Sequence, residues 1–429
     1  MKALIKGTLI SPISKDEILF LDPGYIVINQ EGKIDEIYSE EPTEGYSEVL
    51  DFSGKLICPG FVDIHNHLPQ FTISGLYRGN LLEWLNNIVF PTEEKFTNAE
   101  IAEKHAQEFF QTVLRNGTTT TVSYVTIHKK ATDKAFEQAE KSGIRAFLGN
   151  VLMDQKAPEY LIKETAQLLK DSEEIIKKWD GHDGGRLRYI LTPRFAPACS
   201  YDLLEGIGKL AQNYNLYIQS HLAESKPELE MVSKIYSDFE NYTDIYLKAG
   251  LLTEKTLMAH CIYLSDDEID TLNRTGTKIS HCPSSNRFLQ SGIMPLRKLE
   301  KAELSIGIGT DVGAGYSLSM FSEMREAIEA SKMIKFLYPE EEYQPITPTE
   351  AFYLGTLGGA QVLSIGHETG SLDKGKSADF SVIDYQKLNP CGDDFFKEPD
   401  NIIARMIYGG AEKYIERVFI SGKEVFQIK

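Results

Sequence analysis

Alternating apolar strands and helical segments in the middle of the chain constrain its fold more than any other feature. The apolar segments are separated by amphipathic stretches such as AEIAEKHAQEFFQTVLR. They are TVLRNGTTTTVSYV, IRAFLGNVL, LRYILTPRF, LYIQSHLAE, TLMAHCIYL, TKISHCP and LSIGIGTDVG. Because parallel neighbours need a crossover connection, repeated strand–helix units of this size predict an α/β protein with a parallel sheet.

Polar residues fall repeatedly at the C-terminal ends of these apolar segments. PGFVDIHNH ends on His65 and His67, which point to one strand face because they are two positions apart. Asp311 follows His65 by 246 residues, close to the roughly 250 residues of an eight-fold β/α barrel. A barrel brings its first and last strands together, which a doubly wound open sheet does not normally do. The other strand ends carry Arg194, His221, His260 and His281.

Composition excludes several classes of function. The net charge of −18 provides no basic surface for nucleic acid or an anionic membrane. No run of 18 apolar residues exists that could span a bilayer. The five cysteines are odd in number, scattered and without a CxxC pair, so neither a disulfide framework nor a thiolate zinc site is expected. We therefore expect a cytoplasmic protein with reduced cysteines.

The order of the motifs resembles the amidohydrolase superfamily, in its deaminase branch. The motifs are PGFVDIHNH, SHLAES, MAHC, SHCPSSN and GTDVGAG, and the resemblance covers the whole chain. It implies an amidohydrolase-type (β/α)8 TIM-like barrel over residues 61–365. It also implies a small composite β-sandwich domain built from residues 1–60 and 366–429, including GSLDKGKSADFSVID. Short strands joined by Gly-containing turns at both chain ends agree with this division.

Three further details resemble the guanine deaminase family. Gln70 follows His67 by three residues, Arg194-Phe195 closes the fourth barrel strand, and LLEWLNNIVFPTEEKF follows the first strand. The resemblance implies hydrolytic deamination of guanine to xanthine and ammonia, with guanine and water as the substrates and a homodimer as the assembly. The HxE and PCxxC patterns of the zinc cytidine deaminases do not occur.

The resemblance also implies a metal site formed by His65, His67, His221 and Asp311. Three imidazoles and a carboxylate suit Zn²⁺ or Fe²⁺. Superfamily members that bridge two metals use a carboxylated lysine on the fourth strand, and RYILTPRFAP contains no lysine. We therefore expect one Zn²⁺ per chain, with Fe²⁺ as the alternative. Such a metal lowers the pKa of its bound water to about 7.

Catalytic and substrate-binding roles follow from the same resemblance. Glu224 is expected to shuttle a proton to the purine and then to the departing ammonia, while His260 and Asp311 orient and deprotonate the attacking water. A structural ion pair is the alternative for Arg194, and a supporting role without metal or substrate contact is the alternative for His281. The expected substrate contacts are Gln70, Arg194, Phe195, His221, Glu224 and His260.

Two other functions stay open from the sequence. One is the same scaffold acting on another aminated heterocycle, such as 8-oxoguanine, a pterin, a triazine or a thiomethyladenosine-type nucleoside. The other is a catalytically inactive amidohydrolase-like scaffold protein. An inactive scaffold predicts lost ligands, whereas all four metal-ligand positions and Glu224 are present.

Overall fold

The computed structural model describes residues 2–43, 45–77, 79–339 and 343–428. These residues form a seven-stranded mixed sheet and a parallel barrel. Within these ranges, no helix combines the length and the apolar character needed to cross a bilayer.

Sixteen strands make up the two sheets in the described part of the chain. In chain order they are β1 Ala3–Pro12, β2 Ile18–Ile28, β3 Ile34–Tyr38, β4 Glu48–Pro59, β5 Phe61–His67, β6 Thr118–Tyr124, β7 Arg145–Gly149, β8 Val151–Leu152, β9 Leu187–Pro193, β10 Tyr217–Leu222, β11 Thr256–His260, β12 Lys278–His281, β13 Ile306–Ile308, β14 Phe380–Ile383, β15 Ile415–Ile420 and β16 Lys423–Gln427.

The α-helices cover the barrel and extend its loops. They are α1 Leu81–Trp84, α2 Phe90–Glu93, α3 Ala99–Arg115, α4 Lys129–Ser142, α5 Thr165–Trp179, α6 His182–Gly185, α7 Tyr201–Tyr214, α8 Lys226–Ile235, α9 Tyr242–Lys248, α10 Asp266–Thr275, α11 Pro283–Phe288, α12 Leu296–Lys301, α13 Met320–Leu337, α14 Pro348–Leu354, α15 Leu357–Val362 and α16 Pro399–Gly409. A π-helical turn spans Leu85–Val89. Short 3-10 helices cover Leu68–Ile73, Glu94–Thr97, Glu159–Leu161, Ala196–Ala198, Tyr385–Lys387, Asp394–Lys397 and Ala411–Tyr414.

The two chain ends share the mixed sheet, whose strand order is β16-β15-β14-β4-β1-β2-β3. Strand β14 pairs antiparallel with β4, which in turn pairs parallel with β1, so the C-terminal strands join the N-terminal ones directly. The composite β domain predicted from both chain ends is this sheet. Strand β4 ends at Pro59 and the first barrel strand begins at Phe61. We keep 1–60, 61–365 and 366–429 as the proposed division into domains.

The barrel runs in the order β5-β6-β7-β9-β10-β11-β12-β13, with β8 paired to β9. All of its neighbouring strands are parallel, as the alternating pattern predicted. Closure occurs just beyond β13, where the Asp311 backbone N–H donates to the His65 carbonyl at 2.7 Å and the His67 N–H donates to the Val312 carbonyl at 2.6 Å. The first and last strands therefore meet at the level of the predicted metal ligands.

Gly309 makes this closure possible. A Cβ atom at this position would lie 2.6 Å from the Cβ of His65 and 2.6 Å from the Oγ of Ser280. Because any side chain would collide with both neighbours, the glycine of GTDVG allows the last strand to approach the first. The barrel interior below this level is filled by apolar side chains, among them Val62, Ile64, Val122, Phe147, Ile190 and Leu257.

Candidate metal centre and active site

Three histidines and one aspartate converge at the C-terminal mouth of the barrel. One ligand atom from each of His65, His67, His221 and Asp311 lies within 4.8 Å of the others. The Nε2 atoms of His65 and His67 lie 3.3 and 3.2 Å from Asp311 Oδ1. The Nε2 atoms of His67 and His221 are 3.3 Å apart. Strands β5 and β10 and the turn that follows β13 thus bring ligand atoms to one point, and β11 places His260 beside them.

The hydrogen bonds around this group leave lone pairs directed at its centre. His221 Nδ1 donates to the backbone carbonyl of Arg194 at 2.5 Å. A carbonyl only accepts, so Nδ1 carries the hydrogen and Nε2 of the neutral ring is a lone-pair donor. Nε2 of His65 is buried and has no hydrogen-bond partner in the part of the chain that the structure describes. A divalent cation would satisfy these nitrogens and the carboxylate together, so the residues present fit a metal.

Electrostatics favour the ligand forms of these side chains. Burial lowers the pKa of His67 to about 4 and that of His221 well below its usual value. Burial raises the pKa of Asp311, but its contacts with His65 and His67 outweigh that effect and hold the pKa well below its ordinary value. Neutral imidazoles and an ionised carboxylate are the protonation states that metal binding requires.

The backbone at the strand ends is held in an uncommon conformation. His260 has φ of 73° and Asp311 has φ of 46°, both in the left-handed region that L-residues adopt at a cost of about 1–3 kcal/mol. Asp63 fixes the loop that carries Asp311. This buried carboxylate accepts from Thr310 Oγ1 at 2.6 Å, from the Thr310 N–H at 2.9 Å and from Asn66 Nδ2 at 2.9 Å. The loop that carries Asp311 is therefore held in place by several buried hydrogen bonds.

Glu224 and His260 face the metal-ligand group from one side. Glu224 Oε2 lies 3.5 Å from His260 Nε2, and Glu224 Oε1 accepts from Ser291 Oγ at 2.9 Å. His260 Nδ1 donates to Asn286 Oδ1 at 2.8 Å, which leaves its Nε2 as an acceptor 3.9 Å from Asp311 Oδ2. Burial and then the nearby Asp311 raise the pKa of Glu224 to about 8. A carboxyl group that is protonated near neutral pH is suited to donating a proton.

A cavity opens above this group. Its polar lining comes from the metal-ligand group and from residues predicted to bind substrate, and its apolar lining comes chiefly from the segment around α1. The lining residues are His67, Gln70, Leu81, Trp84, Leu85, Arg194, Phe195, His221, Glu224, His260, Leu289, Asp311 and Ala314. The six predicted substrate contacts all belong to this set.

One residue that the sequence analysis did not predict links two of the predicted substrate-binding residues. Glu93 is buried, and its Oε1 accepts from Gln70 Nε2 at 2.9 Å and from Arg194 Nη1 at 3.0 Å. The ion pair considered for Arg194 is thus present, and the Arg194 side chain also lines the cavity. Glu93 lies within LLEWLNNIVFPTEEKF. The acidic residues of this segment were the only feature of the sequence that could have indicated the contact with Arg194.

Other residues that support the catalytic side chains were also not predicted from the sequence. Ser291 and Asn286 contact Glu224 and His260 as described, and neither belongs to a strand end. His281 is buried but does not line the cavity, and its backbone carbonyl accepts from the Gly309 N–H at 3.0 Å. The backbone of His281 therefore pairs β12 with the end of β13.

Comparison with known proteins agrees with this fold. Residues 56–425 match the amidohydrolase family. The chain therefore belongs to the amidohydrolase family, whose members are metal-dependent hydrolases built on this barrel.

Several relatives that match nearly the whole chain are guanine deaminases. It is 34% identical to a guanine deaminase of Dictyostelium discoideum over 98% of both chains. It is 36% identical to a guanine deaminase of Rattus norvegicus, covering 96% of this chain and 92% of the relative. The crystal structure of a guanine deaminase from C. acetobutylicum with bound guanine superposes with a TM-score of 0.94, at 35% identity over 99% of this chain and 100% of that one. The predicted resemblance to guanine deaminases is confirmed.

Proposed function

We propose that this protein hydrolyses guanine to xanthine and ammonia, with one divalent metal per chain. The observation that carries the proposal is the convergence of His65, His67, His221 and Asp311 beside a cavity that Glu224 also lines. The full-length identity to guanine deaminases supports the choice of guanine among aminated heterocycles.

His65, His67, His221 and Asp311 would hold the metal, for which the nitrogen-rich donor set favours Zn²⁺, with Fe²⁺ as the alternative. When bound, such a cation acidifies water and so supplies a nucleophile at neutral pH. The fourth strand, β9, carries no lysine that could bridge a second metal. This supports a stoichiometry of one.

The chain's own residues move the protons. As water attacks C2 of guanine, Asp311 and His260 take the proton that the water releases, and Glu224 donates its proton to the adjacent ring nitrogen. The resulting tetrahedral carbon bears a hydroxyl and the amino group. Its hydroxyl proton returns to Glu224, the proton held by Asp311 passes to the amino group, and the C2–N bond breaks to release ammonia. Xanthine remains, and both carboxyl groups regain their starting states.

Side chains that line the cavity would recognise the substrate. Gln70 offers an amide, Arg194 offers guanidinium donors and Phe195 offers a ring face, which together match a flat, polar purine. Leu81, Trp84 and Leu85 form the apolar cover. A pocket that hydrogen-bonds its ligand rejects analogues without the matching groups by ~10⁴ to 10⁵. A narrow preference for guanine is therefore expected.

A substrate panel tests the proposal. Purified protein is incubated with guanine, adenine, cytosine, 8-oxoguanine, a pterin, a triazine and thiomethyladenosine, and ammonia release is measured. We expect guanine to be the best substrate, with adenine and cytosine at least about a thousandfold less efficient. A nucleoside that exceeds guanine in kcat/KM, or no ammonia from any compound, would refute the assignment.

We also propose a homodimer in the cytoplasm. Apolar side chains at the end of α13 and just beyond it, Phe336, Leu337 and Tyr338, are exposed and are candidates for a subunit contact. All five cysteines are unpaired, which is consistent with a reducing compartment. Light scattering on the purified protein measures the assembly directly.

A further inference from the structure

We propose that Glu93 is a positioning residue that sets the substrate specificity of the site by orienting Gln70 and Arg194. The inference rests on the proposed deamination of guanine and adds the group that makes the pocket selective for one arrangement of donors and acceptors.

Glu93 is buried, and a buried carboxylate destabilises the fold unless other groups pair with it. Its side chain is about 1% exposed, at the end of α2. Oε1 accepts from both Gln70 Nε2 and Arg194 Nη1, and Oε2 accepts from Arg194 Nη1 at 3.2 Å. Burying a charge is unfavourable unless it is paired and hydrogen-bonded. The pairing uses two cavity-lining side chains that the chain brings from separate elements.

The first consequence concerns the amide of Gln70. An amide side chain can present either its oxygen or its NH₂ group to a ligand, and the two orientations are nearly equal in shape. A carboxylate accepts and cannot donate, so Glu93 holds the NH₂ group of Gln70. The Gln70 carbonyl oxygen then remains to face the ligand as an acceptor.

The second consequence concerns the guanidinium of Arg194. Glu93 takes up Nη1, and the Phe90 ring lies 5.4 Å from the guanidinium carbon. Because Phe90 and Glu93 begin and end the same short helix, one segment fixes both the plane and the direction of the arginine. The remaining N–H groups are donors only. Gln70 and Arg194, joined through one carboxylate oxygen, therefore offer an acceptor beside a donor.

This pair matches a lactam edge, in which a ring N–H lies next to a carbonyl. Guanine has that edge at N1 and C6. In 2,6-diaminopurine the ring nitrogen accepts and the C6 substituent donates, while the 2-amino leaving group is the same. In Glu93→Gln one carboxylate oxygen becomes an NH₂ group, which cannot accept from Arg194 Nη1, shared in the wild type between both oxygens, and which can donate to the Gln70 carbonyl oxygen. Gln70 is then free to reverse and present a donor to the ligand.

The test compares kcat/KM for guanine and 2,6-diaminopurine in wild-type protein, Glu93→Gln and a matched control. Glu350→Gln is the control because Glu350 is also a buried carboxylate, accepts from Arg297 Nη2 at 2.9 Å and does not line the cavity. We expect the guanine to 2,6-diaminopurine ratio to fall by about 10- to 100-fold in Glu93→Gln and to stay within about twofold in Glu350→Gln. Metal content is measured on each preparation and should not change.

Binding without turnover provides a second readout. Hypoxanthine keeps the lactam edge but has no 2-amino group, so calorimetric titration should show weaker binding to Glu93→Gln than to wild type. If Glu93→Gln does not fold, Glu93→Asp replaces it, because aspartate keeps the charge but is too short to reach both partners. An unchanged ratio in the folded variant, or equal losses for both substrates, would overturn the role of Glu93. A wild-type protein inactive on guanine would instead refute the proposed function and with it this inference.

Discussion

Replacing Glu224 by glutamine separates proton transfer from metal-site architecture. The amide has nearly the shape of the carboxyl group, so Ser291 Oγ can still donate to Oε1. The metal-ligand group does not include Glu224. Glutamine cannot release a proton to the purine or take one back from the tetrahedral intermediate. We therefore expect Glu224→Gln to fold and retain metal while losing catalysis.

The expected loss of kcat in Glu224→Gln follows from the role of Glu224 as an acid–base group. A positioned acid–base group contributes about 10²- to 10⁴-fold to a rate, and each tenfold corresponds to about 1.36 kcal/mol. The barrier should therefore rise by about 2.7–5.4 kcal/mol. A buried carboxyl that only packs the site would cost far less, because its van der Waals contacts and the Ser291 hydrogen bond survive the change.

The assay measures kcat from ammonia release at saturating guanine and metal content on the same preparation. Glu228→Gln is the matched control, because Glu228 is also a buried glutamate on this turn but does not line the cavity. Its Oε2 accepts from the Glu224 N–H at 2.9 Å, a contact that glutamine can keep. The control should retain more than about a tenth of wild-type kcat. The proton-shuttle role would be refuted by metal-replete Glu224→Gln retaining more than about a tenth as well.

Further predictions concern the metal, the barrel closure and the pH dependence of stability. Elemental analysis should give about one metal per chain, and two tightly bound ions would contradict the single site. Asp311→Ala should lose both metal and activity. Asp63→Ala leaves the buried N–H and Oγ1–H of Thr310 unpaired and removes one of the two acceptors of Asn66 Nδ2, so urea unfolding should show at least about 3 kcal/mol less stability. A loss under about 1 kcal/mol would argue against this role of Asp63. Burial and then Glu224 raise the pKa of Glu228 from 4.5 to about 7, so its stabilising contribution is present below about pH 4.5 and lost as pH rises through 7. Glu228→Gln should therefore weaken the decline in stability between about pH 5 and 8, and an unchanged pH profile would contradict this shift.

The sequence by itself determined the barrel and the metal-ligand group. Alternating strands and helices impose a parallel sheet, and strand periodicity places His65 and His67 on one face. Ligands at the C-terminal ends of parallel strands must share one mouth once the barrel closes. The strand ends offered His221 and Asp311 together with Arg194, His260 and His281, and the resemblance to the amidohydrolase superfamily selected His221 and Asp311 as the expected ligands.

Only the tertiary structure decided which side chains support that group. Glu93 meets Gln70 and Arg194 because a loop after the first strand folds over the mouth, and no periodicity predicts such a contact. The same holds for Ser291 against Glu224 and for the carbonyl that fixes the His221 tautomer. Hydrogen bonds between distant loops depend on how the chain packs in space, whereas the sequence pattern reports only on neighbours along a strand or helix.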